Sequence, residues 1–163
     1  MAQPAKRAPA FEPAGDGVLT RLSGHTRDLL LARARQLRVS AGSTILHDGD
    51  DTPFLGVVEE GRVALRLRVP ERGGRVTFAT VEPGEILGWS ALVAPYRSTA
   101  DAVASEDCRL LVIDAPELRA ALRDDPAGAA ELLPIVLEAV AHRLATSWHQ
   151  LLDTFSARGF GPW

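Results

Sequence analysis

The segment from Pro83 to Ala104 has the sequence PGEILGWSALVAPYRSTADAVA, and it is the most informative part of the chain. It begins with a Pro-Gly turn and passes through a short apolar run to an arginine and two hydroxyl residues, Arg97, Ser98 and Thr99. The alternation from Ala100 to Ser105 is typical of a strand. Backbone N–H groups at the start of a short helix, together with one guanidinium, suit a phosphate. The segment therefore predicts a cradle for an anion.

This segment resembles the phosphate-binding cassette of the cyclic nucleotide-binding domain family, which includes the bacterial catabolite activator proteins. The family cassette has Gly-Glu-aliphatic-small-Leu, then an Arg before a small-Ala pair nine or ten positions after the Glu. Gly88, Ala91 and Leu92 match the glycine, the small residue and the leucine. Trp89 stands where the family has the glutamate that accepts the ribose hydroxyl. In this respect the chain resembles a bacterial subgroup that carries Gly-Trp-Ser at this place.

The second half of the cassette also departs from the family pattern. Ser98 lies nine positions after Trp89, and Thr99-Ala100 forms the small-Ala pair, so Arg97 sits one place early. The resemblance implies that cyclic AMP binds weakly or not at all and that another anionic small molecule is a possible ligand. The predicted ligand-binding residues are Gly88, Trp89, Ser90, Ala91, Arg97, Ser98 and Thr99.

Each polar or aromatic member of this set has a second interpretation. Trp89 either fills the pocket as core or offers its indole to a ligand base. Arg97 either contacts the ligand anion or pairs with a surface acid such as Glu85. Ser98 and Thr99 either donate to a phosphate or satisfy their own turn.

Short strands separated by Gly and Pro turns surround the cassette and predict a mainly β fold, a β-roll or jelly roll with flanking helices. Glu60-Gly61 indicates a hairpin, and Pro70 to Gly74 a further turn. The predicted strands are Thr44–Leu46, Phe54–Glu59, a third from Val63, a fourth from Val76 to Val81, and Arg109–Ile113. Between residues 18 and 157, the order of helix, strands, cassette, strands and helix resembles the same family.

Helices are predicted on both sides of the strands. Ser23 or Thr26 can cap a first helix that carries Leu30, Ala34 and Leu37 at helical spacing. After the last strand, Asp114 is a suitable N-cap for a short helix. The apolar positions expected to face the roll from that helix are Leu118, Ala121 and Leu122.

A final helix from about residue 127 to 155 carries two apolar stripes, and its internal Pro134 is expected to kink or delay it. One stripe, Leu133, Val136 and Val140, is expected to pack on the roll. The other has heptad spacing and predicts a parallel homodimer. Its members, the predicted dimer interface, are Leu137, Ala141, Leu144, Trp148, Leu151 and Phe155. The alternative is that both stripes form one wide core face.

The ends of the chain lie outside this domain. Residues 1–17 are rich in Pro, Ala and Gly and are expected to form a disordered or loosely attached arm. Residues 158–163 form a tail that is too short for the helix-turn-helix of DNA-binding relatives. With a net charge of −3, the chain is not expected to bind DNA.

Composition and motifs argue against an enzyme. The four histidines show no metal-ligand spacing, and the single Cys108 excludes an internal disulfide. We expect no metal, no membrane span, no signal peptide and a cytoplasmic location. The sequence thus predicts a non-enzymatic sensor domain with an unidentified protein partner and no cofactor beyond its ligand. The alternative is a ligand-free dimeric interaction module whose pocket is filled by Trp89.

Overall fold

The computed structural model describes residues 17–69 and 74–157, and within them the strands form two four-stranded antiparallel sheets. The strands are β1 (Arg35–Val39), β2 (Thr44–Leu46), β3 (Phe54–Glu60), β4 (Val63–Val69), β5 (Gly74–Val81), β6 (Ile86–Leu87), β7 (Asp101–Ala104) and β8 (Cys108–Asp114). The first sheet has the order β1-β8-β3-β6 and the second the order β2-β7-β4-β5. This arrangement is the predicted jelly roll with flanking helices.

Strand β8 explains why the roll has two apolar cores. Cys108, Leu110 and Val112 point between the sheets, where they join an inter-sheet core with Val58, Val63 and Leu87. The alternate residues Leu111 and Ile113 face the helices because successive side chains of a strand point to opposite faces. They belong to a helix-side core that also contains Leu55, Ile86, Leu118 and Leu132.

The turn at Glu60-Gly61 is present, but it does not make the predicted hairpin. Strands β3 and β4, on either side of it, belong to different sheets. Gly61 has φ +81°, and a Cβ there would lie 2.5 Å from the carbonyl oxygen of Asp107. The glycine therefore lets the chain pass close to another backbone as it crosses between the sheets.

The first helix is shorter than predicted. Helix α1 spans Gly24–Leu31, and the hydroxyl of Ser23 caps it by accepting the N–H of Thr26. Leu37 lies instead on β1, opposite Leu110 of β8. The helical spacing of Leu30, Ala34 and Leu37 was misleading because strand pairing determined the conformation after residue 34.

The second helix follows the prediction apart from its cap. Helix α2 spans Ala115–Asp124, with Leu118 and Ala121 buried. Asp114 occupies the N-cap position without a capping hydrogen bond, and its carboxylate accepts one from Arg35 instead.

Helix α3 spans Pro126–Ala157 and continues through Pro134, which therefore does not delay it. Its buried side faces the helix-side core through Leu132, Ile135 and Val136. Leu133, predicted for that side, is 47% exposed.

The predicted arm at residues 1–17 falls outside the described residues except for Gly17. The turn at residues 70–73 and the tail at residues 158–163 also lie outside them.

Candidate functional site

A cavity of about 280 Å³ lies between the second sheet, the cassette and α3. Strands β2, β4 and β5 contribute apolar side chains to its wall, among them Leu46, Leu65 and Phe78. The cassette contributes Gly88, Trp89, Ser90, Ser98, Thr99 and Ala100. Helix α3 contributes Val140, Arg143, Leu144 and Ser147. The predicted cassette and the predicted dimer helix thus share one cavity.

Gly88 positions the first half of the cassette. It follows β6 with a left-handed backbone, φ 79°, and precedes a 3-10 helix over Trp89–Leu92. A Cβ at Gly88 would lie 2.4 Å from the carbonyl oxygen of Phe54 on β3. Only glycine combines this φ with so close an approach to backbone, so the motif glycine has a structural reason.

Trp89 is half-buried and packs against the helix-side core while it also lines the cavity. Its neighbour Ser90 is buried and lines the cavity as well. Ala91, predicted as a ligand residue, is fully buried in the helix-side core instead.

Arg97 is not among the residues that line the cavity. Its Nη1 donates to the carbonyl oxygen of Gly49 at 2.8 Å, and its Nη2 lies 3.9 Å from a carboxylate oxygen of Asp51. The side chain is 60% exposed. The surface acid beside it is therefore Asp51 rather than Glu85.

Several cassette donors are already engaged within the protein. The hydroxyls of Ser98 and Thr52 form a buried hydrogen bond of 2.9 Å. The backbone N–H of Ser98 donates to Asp50 and that of Ala91 to Gly88. A phosphate in this cavity would have to rely on other donors.

Arg143 is the site residue that the sequence analysis missed. Its guanidinium donates to the carbonyl oxygen of Ile86 on β6, beside the cassette. Burial lowers the pKa of Arg143 from its usual value, an effect that the carboxylate of Glu85 partly offsets. The sequence signal for Arg143 is its spacing. It lies seven residues, or two helical turns, after Val136, and this spacing puts it on the side of α3 that faces the roll.

A second cavity of about 360 Å³ lies on the other side of Arg143. Its lining contains both signs of charge: Arg21 and Glu138 form an ion pair of 2.6 Å, and Glu85 also lines it. It is thus more polar in character than the first cavity.

The predicted dimer residues form an exposed strip along α3. Leu137 is 68%, Leu144 50% and Trp148 60% exposed, and Ala141 is exposed between them. Leu152 extends the strip at 65%. Leu151 and Phe155 lie on the helix, but their side chains are outside the described residues. The strip and the buried side make α3 apolar on two separate faces.

The described residues contain no group of three or more histidine, cysteine or acidic side chains that could hold a metal ion. None of the helices in the described ranges is long and apolar enough to cross a membrane.

Comparison with known proteins shows which family has this fold and cassette. The model of the cyclic nucleotide-binding domain family matches residues 36–125, which run from β1 through the cassette to the end of α2. The chain belongs to the cyclic nucleotide-binding domain family. Domains of this family are in general regulatory rather than catalytic. None of the curated proteins matches the chain.

Solved structures support the membership. A protein from Geobacter metallireducens, described as a cyclic nucleotide-binding protein, is similar at 26% identity and a TM-score of 0.68, covering 78% of this chain and 91% of that one. The N-terminal domain of a transcriptional regulator from Streptomyces coelicolor A3(2) is similar at 30% identity and a TM-score of 0.63, covering 83% and 92%. The regulatory subunit of a cAMP-independent protein kinase A from Trypanosoma cruzi, bound to guanosine, shares the fold at 19% identity and a TM-score of 0.65, covering 86% and 47%.

Proposed function

We propose that this cyclic nucleotide-binding domain is a non-enzymatic sensor that binds a small molecule in the cavity between the cassette and α3. The observation that carries the proposal is that this cavity of about 280 Å³ remains beside Trp89, with walls from both the cassette and α3. A ligand there would contact Arg143 and Leu144, and Leu144 also belongs to the exposed strip. Binding of a ligand in the cavity would thereby affect the surface through which α3 contacts a partner.

Cyclic AMP is not the favoured ligand. Trp89 replaces the carboxylate expected to hold the ribose, and Arg97 is turned toward Gly49. The loss of a hydrogen bond to a charged group costs roughly 1.5–3 kcal/mol, or about ten- to a hundredfold in affinity. The fold does not fix the ligand, since the Trypanosoma cruzi subunit with this fold binds guanosine.

The partner surface of the sensor is the exposed strip of α3. Two copies packed in parallel would cover Leu137, Ala141, Leu144 and Trp148, together with Leu151 and Phe155 farther along the helix. Soluble monomers rarely expose an apolar strip of this kind. The proposed assembly is a cytoplasmic homodimer that signals to an unidentified protein and binds neither DNA nor a membrane.

The second candidate is a ligand-free dimeric interaction module. It is favoured by the packing of Trp89 on the helix-side core and by the mutual hydrogen bond of Thr52 and Ser98, which leaves those hydroxyls satisfied without a ligand. In that case the cavity would close around Trp89 in solution.

Isothermal titration calorimetry with cyclic AMP and cyclic GMP tests the proposal. We expect the wild-type chain to bind either nucleotide no more tightly than micromolar, and Trp89→Glu to bind cyclic AMP more tightly because it restores the carboxylate. His149→Glu, which adds the same charge on α3 outside both the cavity and the exposed strip, is the control and should not gain affinity. Sub-micromolar binding of cyclic AMP to the wild type would refute the conclusion that cyclic AMP is not the favoured ligand, and failure of Trp89→Glu to gain affinity would count against a ligand site in this cavity.

A further inference from the structure

The cavity between the cassette and α3 contains a single charged side chain among the described residues. Arg143 is the only ionisable group in its lining; all other lining residues are apolar or carry a hydroxyl. A guanidinium remains protonated in proteins. The cavity therefore offers one positive charge and no carboxylate that could accept a hydrogen bond from a sugar hydroxyl.

Arg143 has hydrogen-bonding capacity to spare. A guanidinium has five N–H donors, and within the described residues the side chain of Arg143 makes a single hydrogen bond, to the carbonyl of Ile86. Those residues also place no carboxylate within ion-pair distance of it. Glu85, the acid whose charge acts on Arg143, uses a carboxylate oxygen to accept the backbone N–H of Glu82 at 2.8 Å. A partly desolvated charge with spare donors is stabilised by a bound anion.

The remainder of the wall suits an apolar body with a planar ring. Phe78 and Trp89 place two aromatic side chains in it, and Leu46, Leu65 and Leu87 supply aliphatic surface. Thr52 and Ser98 bind each other, so they offer little to a sugar. Arg143 also lines the second cavity, but there its charge faces that of Glu85, and Arg21 is already paired with Glu138. The second cavity therefore offers an anion less unopposed positive charge than the first.

We infer that the ligand of this cavity is an aromatic monocarboxylate whose carboxylate pairs with Arg143 of α3 and whose ring lies against Trp89 and Phe78. The inference rests on the proposed sensor function and specifies the class of ligand. The proposed anion site is thus Arg143 on α3 rather than Arg97 in the cassette. Arg143 also donates to the carbonyl of Ile86 on β6. A carboxylate bound to Arg143 would therefore act on the contact that joins α3 to the cassette.

The test pairs an acid with its neutral analogue. The full chain is titrated by calorimetry with 1-naphthaleneacetate and with 1-naphthaleneacetamide, which share the ring and differ in charge. Each is measured with the wild type, Arg143→Gln, Arg143→Lys and Arg97→Gln, and circular dichroism confirms that every variant is folded. The Arg97 variant is the matched control because it removes a guanidinium that does not line the cavity and that donates to Gly49 instead.

We expect the wild type to prefer the acid over the amide by about ten- to a hundredfold. Arg143→Gln should lose this preference while it still binds the amide, Arg143→Lys should keep part of it, and Arg97→Gln should keep all of it. If acid and amide bind the wild type equally, the cavity is a ligand site without an anion subsite, and only this inference fails. If the preference disappears in Arg97→Gln but not in Arg143→Gln, the anion site belongs to the cassette and the inference is wrong. If neither compound binds, the inference is overturned, and the proposed sensor function fails with it only if Trp89→Glu also gains no affinity for cyclic AMP in the calorimetric test with nucleotides.

Discussion

At the scale of single residues, Gly88 determines whether the cassette can form. Its φ of +79° disfavours any other residue, and an added Cβ would collide with the carbonyl of Phe54. Gly42 has nearly the same φ, +81°, but a Cβ there would meet nothing within 4 Å. Substitution of these two glycines therefore separates the free-energy cost of the backbone angle from that of the steric collision.

We therefore predict that Gly88→Ala destabilises the protein more than Gly42→Ala does. The angle alone should cost each variant about 1–3 kcal/mol, and only Gly88→Ala should pay for displacement of β3 as well. Urea denaturation followed by circular dichroism measures both. Equal losses of stability would mean that the contact with Phe54 relaxes without cost.

The residues of the site differ in how far the sequence predicts their position. Gly88, Trp89, Ser90, Ser98 and Thr99 were predicted from the cassette pattern, and all line the cavity. Motif spacing places a residue on a segment, but it does not set the direction of a long side chain. Arg97 was for that reason predicted at the cavity but contacts Gly49. Arg143 is distant in sequence from the cassette, and only the packing of α3 on the roll brings it to the cavity.

At the scale of elements, α3 serves two surfaces. A helix advances 100° per residue, so Leu137, Ala141, Leu144 and Trp148 share one face while Leu132, Ile135 and Val136 lie on another. The second face is buried in the helix-side core. The first is exposed and is the proposed dimer interface.

Replacing Leu137 and Trp148 together by Glu should disrupt the dimer and leave the fold intact. Both side chains are exposed and neither lines the cavity. Loss of a buried aromatic anchor and of apolar area should weaken association by about 2 kcal/mol or more, which is over tenfold in the dissociation constant. His149→Glu adds charge on α3 outside the strip and is the control. Light scattering that gives a wild-type mass near 17.5 kDa at tens of micromolar would contradict the dimer.

The start of α3 predicts a pH dependence of stability. The backbone N–H and hydroxyl of Ser23 donate to the carboxylate of Glu131 and lower its pKa from the usual value. The N–H of Gly128 and then His25 do the same for the pKa of Asp125. Because each pKa is lower in the folded state, the unfolded chain binds more protons, and stability falls as the pH drops below about 4.3.

Glu131→Gln should remove part of this dependence. The variant should be less stable than the wild type at pH 7, and the difference should shrink as the pH falls, because protonation of the wild-type carboxylate removes the same interaction. Urea midpoints between pH 3 and 7 measure the effect, with the exposed Glu117→Gln as control. A difference that stays constant with pH would show that the contact with Ser23 does not depend on charge.

The elements also show where sequence patterns fail. The strands were predicted because their alternation and turns are local. The partners of β3 and β4 are set by long-range packing, so a correct turn at Gly61 was assigned to the wrong kind of connection. In the same way β1 was read as helix, since three apolar residues matched helical spacing before any strand pairing was known.

The net charge of the whole molecule argues against nucleic acid as a partner. The chain has a net charge of −3, and nucleic-acid binding depends on an excess of basic residues that replaces counterions. We predict that the 163-residue chain does not retain duplex DNA at micromolar concentration and low salt in a gel-shift assay. Retention that weakens steeply with salt would show a basic surface that the net charge conceals.

We claim that an aromatic carboxylate binds in the cavity between the cassette and α3, next to Trp89. The most direct measurement is a titration of the ¹⁵N-labelled chain with 1-naphthaleneacetate in which the indole N–H resonances are followed by NMR. The chain has three tryptophans, and Trp89→Phe and Trp148→Phe assign two of their signals. We predict that the Trp89 resonance shifts in a saturable manner while that of Trp148, on the exposed strip, stays in place. A Trp89 resonance that does not move, or a shift of Trp148 instead, would contradict the claim.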